Sequence, residues 1–398
     1  MERLIYEGRF LVNTVGGIMR QDDLRVMYGR MNWEKIFREA DYHKIANIIY
    51  LACLGNGDQI PDRWRERLFD RYQKSLLFGD VYREAQKEIL MMMEMMKLPC
   101  FVISSCAIRE LYPVPEMADC GLLKILVDEN SYALAKGYMI DLGYESDRLY
   151  KGYGEHMKNA AGFDMELYHK LPFRTKLYDK NIKLMLDTAP FFDKYQYVRA
   201  LSIENQFVYR LAKAAYAYVM DELLVRDMLD LFVFHRNWKE KMNMESVERR
   251  LENFRINELG EKILQIAYMW FGGKDERAAD GLPEDIHVYD ILENRILSRG
   301  YLNKEMDQQA LKLKRLIQRE IKKEQAREKR AAFTERWGKR WKKIKRTLSW
   351  AFPEYRYMCV IYPILENIPI LLPICWIWRG IRQLKILITS NLFKRKSD

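Results

Sequence analysis

The chain has 398 residues, a formal net charge of +11, and 49% hydrophobic with 13% aromatic residues, enough apolar material for two or three structural units and too much for a disordered chain. Six cysteines, Cys53, Cys100, Cys106, Cys120, Cys359 and Cys375, form neither a C-x-x-C pair nor a disulfide-module spacing; this argues against a disulfide scaffold or a zinc site and reads as core or free thiols of a reducing compartment. The basic excess is local, because 304–350 holds 17 Lys/Arg against 6 Asp/Glu, which equals the whole net charge and leaves the rest of the chain near neutral.

Residues 1–97 read as a helical region. The opening MERLIYEGRF is charged from residue 2 and has no apolar run, so no secretory signal is expected. Apolar residues recur at three-to-four spacing over 33–40, 43–54, 64–78 and 81–96, separated by GNGDQIP and by Gly79-Asp80, which predicts separate helices. The methionine run at 91–96 fits core packing against a sheet, since Met fills irregular gaps. His43 reads as a partnered histidine rather than a ligand.

Residues 98–200 read as an αβ core, and 98–144 within it have a strand-helix-strand-helix rhythm. Cys100 to Ile103 is a short apolar strand, 107–112 a turn or two of helix, and Pro113 and Pro115 a break. A second strand runs over 122–127, and the helix after it, from Glu129 to Leu142, closes at Gly143 in the left-handed position. FDMELYHKL, at 163–171, reads as a later strand.

This segment resembles the uncharacterised nucleotidyltransferases of the polymerase-β-like superfamily, found widely in Gram-positive bacteria. The frame is kept in Arg109, Leu111, Tyr112, Pro113 and Pro115, then in Ile125, Leu126 and Val127 and the Gly143-Tyr144 pair. The resemblance implies Lys-Gly where this chain has Ser104-Ser105, an Arg at Ala118, and Asp-x-Asp at Leu122 and Lys124. It also implies a third acid, which Glu166 retains. Residues two apart on a strand share a face, so Asp-x-Asp aims two carboxylates at the Mg²⁺ ions that bridge a nucleotide's phosphates. Leucine cannot ligate Mg²⁺, and Lys124 places a cation where a dication would sit. An ion pair between Lys124 and Glu166 is the expected replacement.

The region 201–300 predicts a helical domain: a Ser-x-x-Asn start at Ser202, a long apolar face, and a second helix from about Val225. The family's corresponding segment implies two histidines near Lys213 and Ala217 and glycines near Glu222 and Leu224, while Arg226, Asp227, Leu229 and Asp230 are retained. Arg109, Tyr112, Arg226 and Asp230 are thus candidate substrate-binding residues; a helix-surface ion pair between Arg226 and Asp230 is the structural alternative. GGKDERAADGLP reads as a polar loop, and Ser298-Arg299-Gly300-Tyr301 matches a family turn with its second glycine missing.

The last part, 301–398, reads as a basic helix followed by an apolar tail. The helix has a sparse stripe of Leu311, Leu316, Ile317, Ile321 and Ile344. Over 358–378, Pro363, Pro369 and Pro373 with Glu366 and Asn367 argue against a membrane span. A short amphipathic helix at a headgroup region fits better, with Trp376, Trp378, Arg379, Arg382 and Lys385 at the interface, beside Trp337, Trp341 and Trp350 of the basic helix.

Together these features predict an α+β fold, a small mixed nucleotidyltransferase-like sheet with flanking helices. They also predict a cytoplasmic protein with no catalytic residues, metal or cofactor, acting as a binding or scaffolding partner of another protein. An anionic membrane surface is the candidate partner of 304–398, at the inner face of the membrane; nucleic acid is disfavoured. The alternative is an active nucleotidyltransferase using Mg²⁺ and a nucleoside triphosphate, with Asp119 and Asp128 joining Glu166. Asp128 shares strand parity with Lys124 but lies roughly 13 Å from it at strand rise.

Overall fold

The α+β expectation is met by a six-stranded mixed sheet set among many helices. The computed structural model describes residues 2–22, 31–54, 60–104, 106–119, 122–148, 153–171, 173, 175–279, 290–300 and 306–382. They fall into two units, Met1–Glu320 and Ile321–Asp398.

The first unit opens with α1 (Glu2–Arg20), α2 (Trp33–Tyr42), α3 (Ala46–Cys53) and α4 (Asp62–Met95). Asn32 caps α2 by accepting the Lys35 N–H, and Ile36, Phe37 and Ala40 form its buried stripe. Lys44 turns the chain left-handed, φ 57°, which delays α3 to Ala46 rather than residue 43. Helix α4 runs unbroken through Gly79-Asp80, where two helices were expected. Gly79 is there for close approach: a Cβ at this position would fall on the Arg109 guanidinium. In the methionine run Met92 and Met93 are buried as expected, whereas Met91, Met95 and Met96 are exposed.

The sheet has the order β3-β4-β5-β2-β1-β6, with β1 (Cys100–Ser104), β2 (Leu123–Val127), β3 (Glu145–Arg148), β4 (Gly154–Lys158), β5 (Asp164–Tyr168) and β6 (Val198–Ala200). β1 runs antiparallel to β2, and β2 parallel to β5. Leu123, Ile125 and Val127 of β2 and Met165 and Leu167 of β5 lie in one core with Tyr82, Ile89 and Met93 of α4. Ala135 and Met139 of α5 (Glu129–Asp141) join them. The period of two sends Lys124, Glu166 and Tyr168 to the opposite face. Gly143, at φ 87°, ends α5 while the Tyr144 N–H reaches back to the Met139 carbonyl at 3.1 Å.

A helical layer completes this unit: α6 (Lys176–Asp187), α7 (Ile203–Val219), α8 (Val225–Trp238), α9 (Met244–Phe254) and α10 (Asn257–Phe271), then the short α11 (Lys274–Ala279) and α12 (Asp290–Leu297). Ser202 caps α7 by accepting the Asn205 N–H at 3.3 Å. Helix α11 replaces part of the expected polar loop. The first turns of α13 (Gln308–Ala351) bury Ile317, as expected, together with Ala310 and Leu313 in place of the expected Leu311 and Leu316.

In the second unit the tail folds as three short helical pieces, not one amphipathic helix. Helix α14 (Tyr355–Ile361), α15 (Ile364–Asn367) and a helical run over 372–382 surround Met358, Cys359 and Leu365. Pro363 immediately precedes α15, Pro369 opens a 3-10 turn, and Pro373 stands in the first turn of the last helix. Each proline thus occupies a helix start, where its missing N–H costs no hydrogen bond. Among the described residues no helix is long and apolar enough to cross a membrane. Ser105, Tyr301 and Lys385 lie outside the described residues, and nothing is described of the Cys106, Cys120 and Trp350 side chains.

Candidate functional site at the polar face of the sheet

Strand pairing sets one row of residues across the polar face. Ser104 of β1 pairs with Lys124 of β2, Lys124 with Glu166 of β5, and Glu166 with His156 of β4. Pairing partners share a face, so the register that the buried residues of β2 and β5 set also places Lys124 beside Glu166, while a bulge between Val102 and Ser104 brings Ser104 opposite Lys124. Lys124 Nζ lies 2.6 Å from Glu166 Oε2, the ion pair expected from the sequence. The Tyr168 hydroxyl donates to the same oxygen at 2.5 Å. Burial, and then the Glu166 charge, push the Tyr168 phenol well above its usual range, so it remains a donor.

A second lysine-acid pair stands on the helical layer. Lys213 Nζ of α7 contacts Asp227 Oδ1 of α8 at 2.8 Å. Asp227 raises the Lys213 pKa. Burial opposes the Asp227 charge, but Lys213 and the Leu224 N–H outweigh it and hold the carboxyl below its usual value. Tyr209 lies within electrostatic range of both pairs: burial pushes it up to about 12, Lys213 pulls it down and Glu166 pushes it up. Sequence reasoning placed Lys213 at a lost histidine but missed this pairing, and it missed Tyr209. No periodicity links residues on different helices.

The four candidate substrate-binding residues gather in one network. Arg226 is buried and donates to the Lys44 carbonyl at 2.7 and 2.9 Å, the Met117 carbonyl at 2.6 Å and Asn47 Oδ1 at 2.9 Å. It also donates to the Tyr112 hydroxyl at 3.4 Å, and that hydroxyl donates to Asp230. Arg226 is therefore no helix-surface partner of Asp230; Tyr112 stands between them. Arg109 is buried too, 3.5 Å from Glu116. Asn47 and Ser75 bind the Glu116 carbonyl at 2.8 and 2.9 Å, and Ser75 binds that of Ala118 at 3.2 Å. The network thus grips the 115–118 segment that leads into β2, with Ala118 itself fully buried.

The acids proposed as displaced ligands are held elsewhere. Asp119 lies 3.8 Å from Lys44 Nζ. Asp128, at the N-terminus of α5, accepts from the Asn130 amide at 3.3 Å. Among the described residues no three His, Cys, Asp or Glu side chains converge in a way that could hold a metal ion. A site with one acid already paired to an ammonium does not fit a pair of Mg²⁺ ions.

A family model described as uncharacterised nucleotidyltransferase matches residues 29–272. The chain belongs to that family. No curated protein and no solved structure matches it. In this nucleotidyltransferase-family chain the matched span contains the whole sheet, the Lys124–Glu166 and Lys213–Asp227 pairs, and the Arg226 network. The basic helix and the tail lie beyond it.

His43 is buried and neutral in character: its Nδ1 accepts the Val225 N–H at 3.2 Å at the start of α8. Burial, then the charge of Arg299, lower its pKa from 6.5 to about 4. It is a partnered histidine, as expected. Cys53, Cys100, Cys359 and Cys375 are free thiols, and burial pushes those of Cys53 and Cys100 up to about 12, so they lack thiolate reactivity at neutral pH.

Proposed function

We propose that this nucleotidyltransferase-family protein has given up metal-dependent nucleotidyl transfer and serves as a binding or scaffolding protein in a reducing, cytoplasmic setting. The single observation that carries this reading is the contact between Lys124 Nζ and Glu166 Oε2 at 2.6 Å. In the family's chemistry, two or three carboxylates on these strands hold Mg²⁺ against the nucleotide's phosphates and neutralise charge during transfer. Here the one acid retained on the row is neutralised from inside the protein by an ammonium on the neighbouring strand, and it accepts a hydrogen bond from a phenol two residues on. Leu122, which stands just before β2, offers no oxygen.

The same exchange at Lys213 and Asp227 supports the reading independently. Arg109, Tyr112, Arg226 and Asp230 then act as frame residues, their polar atoms engaged with backbone carbonyls and with one another rather than with a substrate.

Calorimetric titration with ATP, CTP, GTP and UTP, each with and without Mg²⁺, tests the proposal. The expected result is no Mg²⁺-dependent heat from any of the four. Mg²⁺-dependent nucleotide binding by the unaltered protein would overturn the proposal and favour catalysis through other carboxylates.

A further inference from the structure

The second unit leaves an unusual amount of apolar side chain in water. Along α13, Phe333, Trp337, Trp341 and Ile344 are 61, 51, 63 and 44% exposed. Their spacing of four, four and three puts them on one helix face, and the Phe333 and Trp337 rings touch at a centroid distance of 6.1 Å. On the last helical run, Ile374, Ile377, Trp378 and Ile381 repeat at three and four and are 58, 64, 66 and 50% exposed. Ile370, just before it, is 86% exposed.

Folding of the tail does not use these residues. The small core is built from Met358, Cys359 and Leu365, with Trp376 turned inward, its indole N–H on the Pro353 carbonyl at 3.1 Å. Two exposed apolar stripes of this kind exceed what scattered surface residues explain.

The charge on the same unit identifies the occupant. Residues 321–398 carry 19 Lys/Arg and 6 Asp/Glu. Exposed Arg327, Lys329, Arg330 and Arg340 share α13 with the aromatic stripe, and Arg382 borders the isoleucine stripe. Tryptophan and isoleucine in an otherwise cationic unit are complementary to a surface that is anionic outside and hydrocarbon inside.

We infer that the second unit docks on an anionic lipid bilayer, lying in the headgroup plane with its Trp and Ile stripes inserted and its cations against lipid phosphates. Among the described residues no helix is long and apolar enough to cross a membrane; the inferred attachment is peripheral and weakens with salt. It is independent of whether the sheet site is catalytic.

The test is flotation of the full-length protein with vesicles of phosphatidylcholine alone and of phosphatidylcholine with phosphatidylglycerol. The expected result is association with the anionic vesicles only, a blue shift of tryptophan fluorescence, and loss of binding on the order of tenfold or more in Ile374→Glu/Ile377→Glu. These side chains face water, so circular dichroism and the thermal midpoint should be unchanged. A second variant, Trp337→Ser/Trp341→Ser, tests the other stripe. Equal binding by both variants and the unaltered protein overturns the inference. So does failure to bind anionic vesicles while the stripes instead mediate self-association, seen as a concentration-dependent dimer that Ile374→Glu/Ile377→Glu abolishes. Retention by nucleic acid without vesicle binding overturns it as well.

Discussion

Lys124 and Glu166 are direct partners across the parallel pairing of β2 and β5, and their charged ends meet at 2.6 Å. The Lys124 ammonium supplies the counter-charge of the Glu166 carboxylate from the neighbouring strand. The pair is open to solvent on the lysine side, 32% exposed against 11% for Glu166, so its net worth is that of a screened pair.

The first prediction concerns that coupling. A double-mutant cycle of Lys124→Met and Glu166→Gln, read by urea denaturation, should return an interaction energy of about 1 kcal/mol. Lys124→Met alone should cost more than the double variant, because it strands a carboxylate that only Tyr168 then satisfies. Strict additivity of the two changes would show that the contact carries no energy.

Reinstating acids should reinstate metal affinity. Leu122→Asp/Lys124→Asp places one carboxylate on β2 beside Glu166 and a second just before the strand, the donor chemistry Mg²⁺ takes. Isothermal titration should then detect Mg²⁺ binding tighter than any by the unaltered protein, and adding Glu166→Gln should weaken it. Metal binding that ignores Glu166 would place the ion elsewhere.

Gly79 sits mid-helix, where alanine normally stabilises by about 1 kcal/mol. Gly79→Ala should instead destabilise by roughly 1–3 kcal/mol, since the new Cβ displaces the Arg109 guanidinium from Glu116. In an Arg109→Ala background the same change should become neutral or stabilising. Chemical denaturation of the four proteins separates these outcomes.

Arg226 is buried and binds two backbone carbonyls from segments far apart in sequence. Arg226→Met should cost about 3–5 kcal/mol, because the Lys44 and Met117 carbonyls and Asn47 Oδ1 lose their donor together. Tyr112→Phe removes one hydrogen bond to Asp230 and should cost about 1–3 kcal/mol. If both lose the same amount, the network is not held through Arg226.

Stability should fall on mild acidification through His43. Its folded-state pKa is lowered from 6.5 to about 4, so between those values the unfolded chain binds the extra proton. The contribution is complete above about pH 6.5 and is lost as pH falls towards 4, up to about 3 kcal/mol. His43→Asn keeps an acceptor for the Val225 N–H but does not titrate. Urea midpoints measured across this range should flatten in the variant; an unchanged slope would assign the pH dependence to other groups.

Strands β1, β2 and β5, the closing Gly143, the Ser202 cap and the start of α8 were legible because local rules govern them: alternation, positive φ and side-chain capping; β3, β4 and β6 were not read from the sequence. The pairing of Lys124 with Glu166 was legible for a related reason, since strand parity constrains which face each residue takes. Elsewhere the local signal misled. Gly79 looks like a helix break in sequence, yet its missing Cβ serves Arg109, a residue 30 positions on. Arg226 and Asp230, four apart on one helix, suggest a surface pair, but burial and the Tyr112 hydroxyl redirect both.

From the sequence alone came the α+β class, the alternation of the strands and the identities of the side chains at the polar row. The tertiary structure decided which groups complete each charge: Tyr168 on Glu166, Lys213 on Asp227, and backbone carbonyls on Arg226. Periodicity is a property of neighbouring residues and survives in a linear string. Satisfaction of a buried charge depends on atoms brought together from distant segments, and only the folded chain determines them.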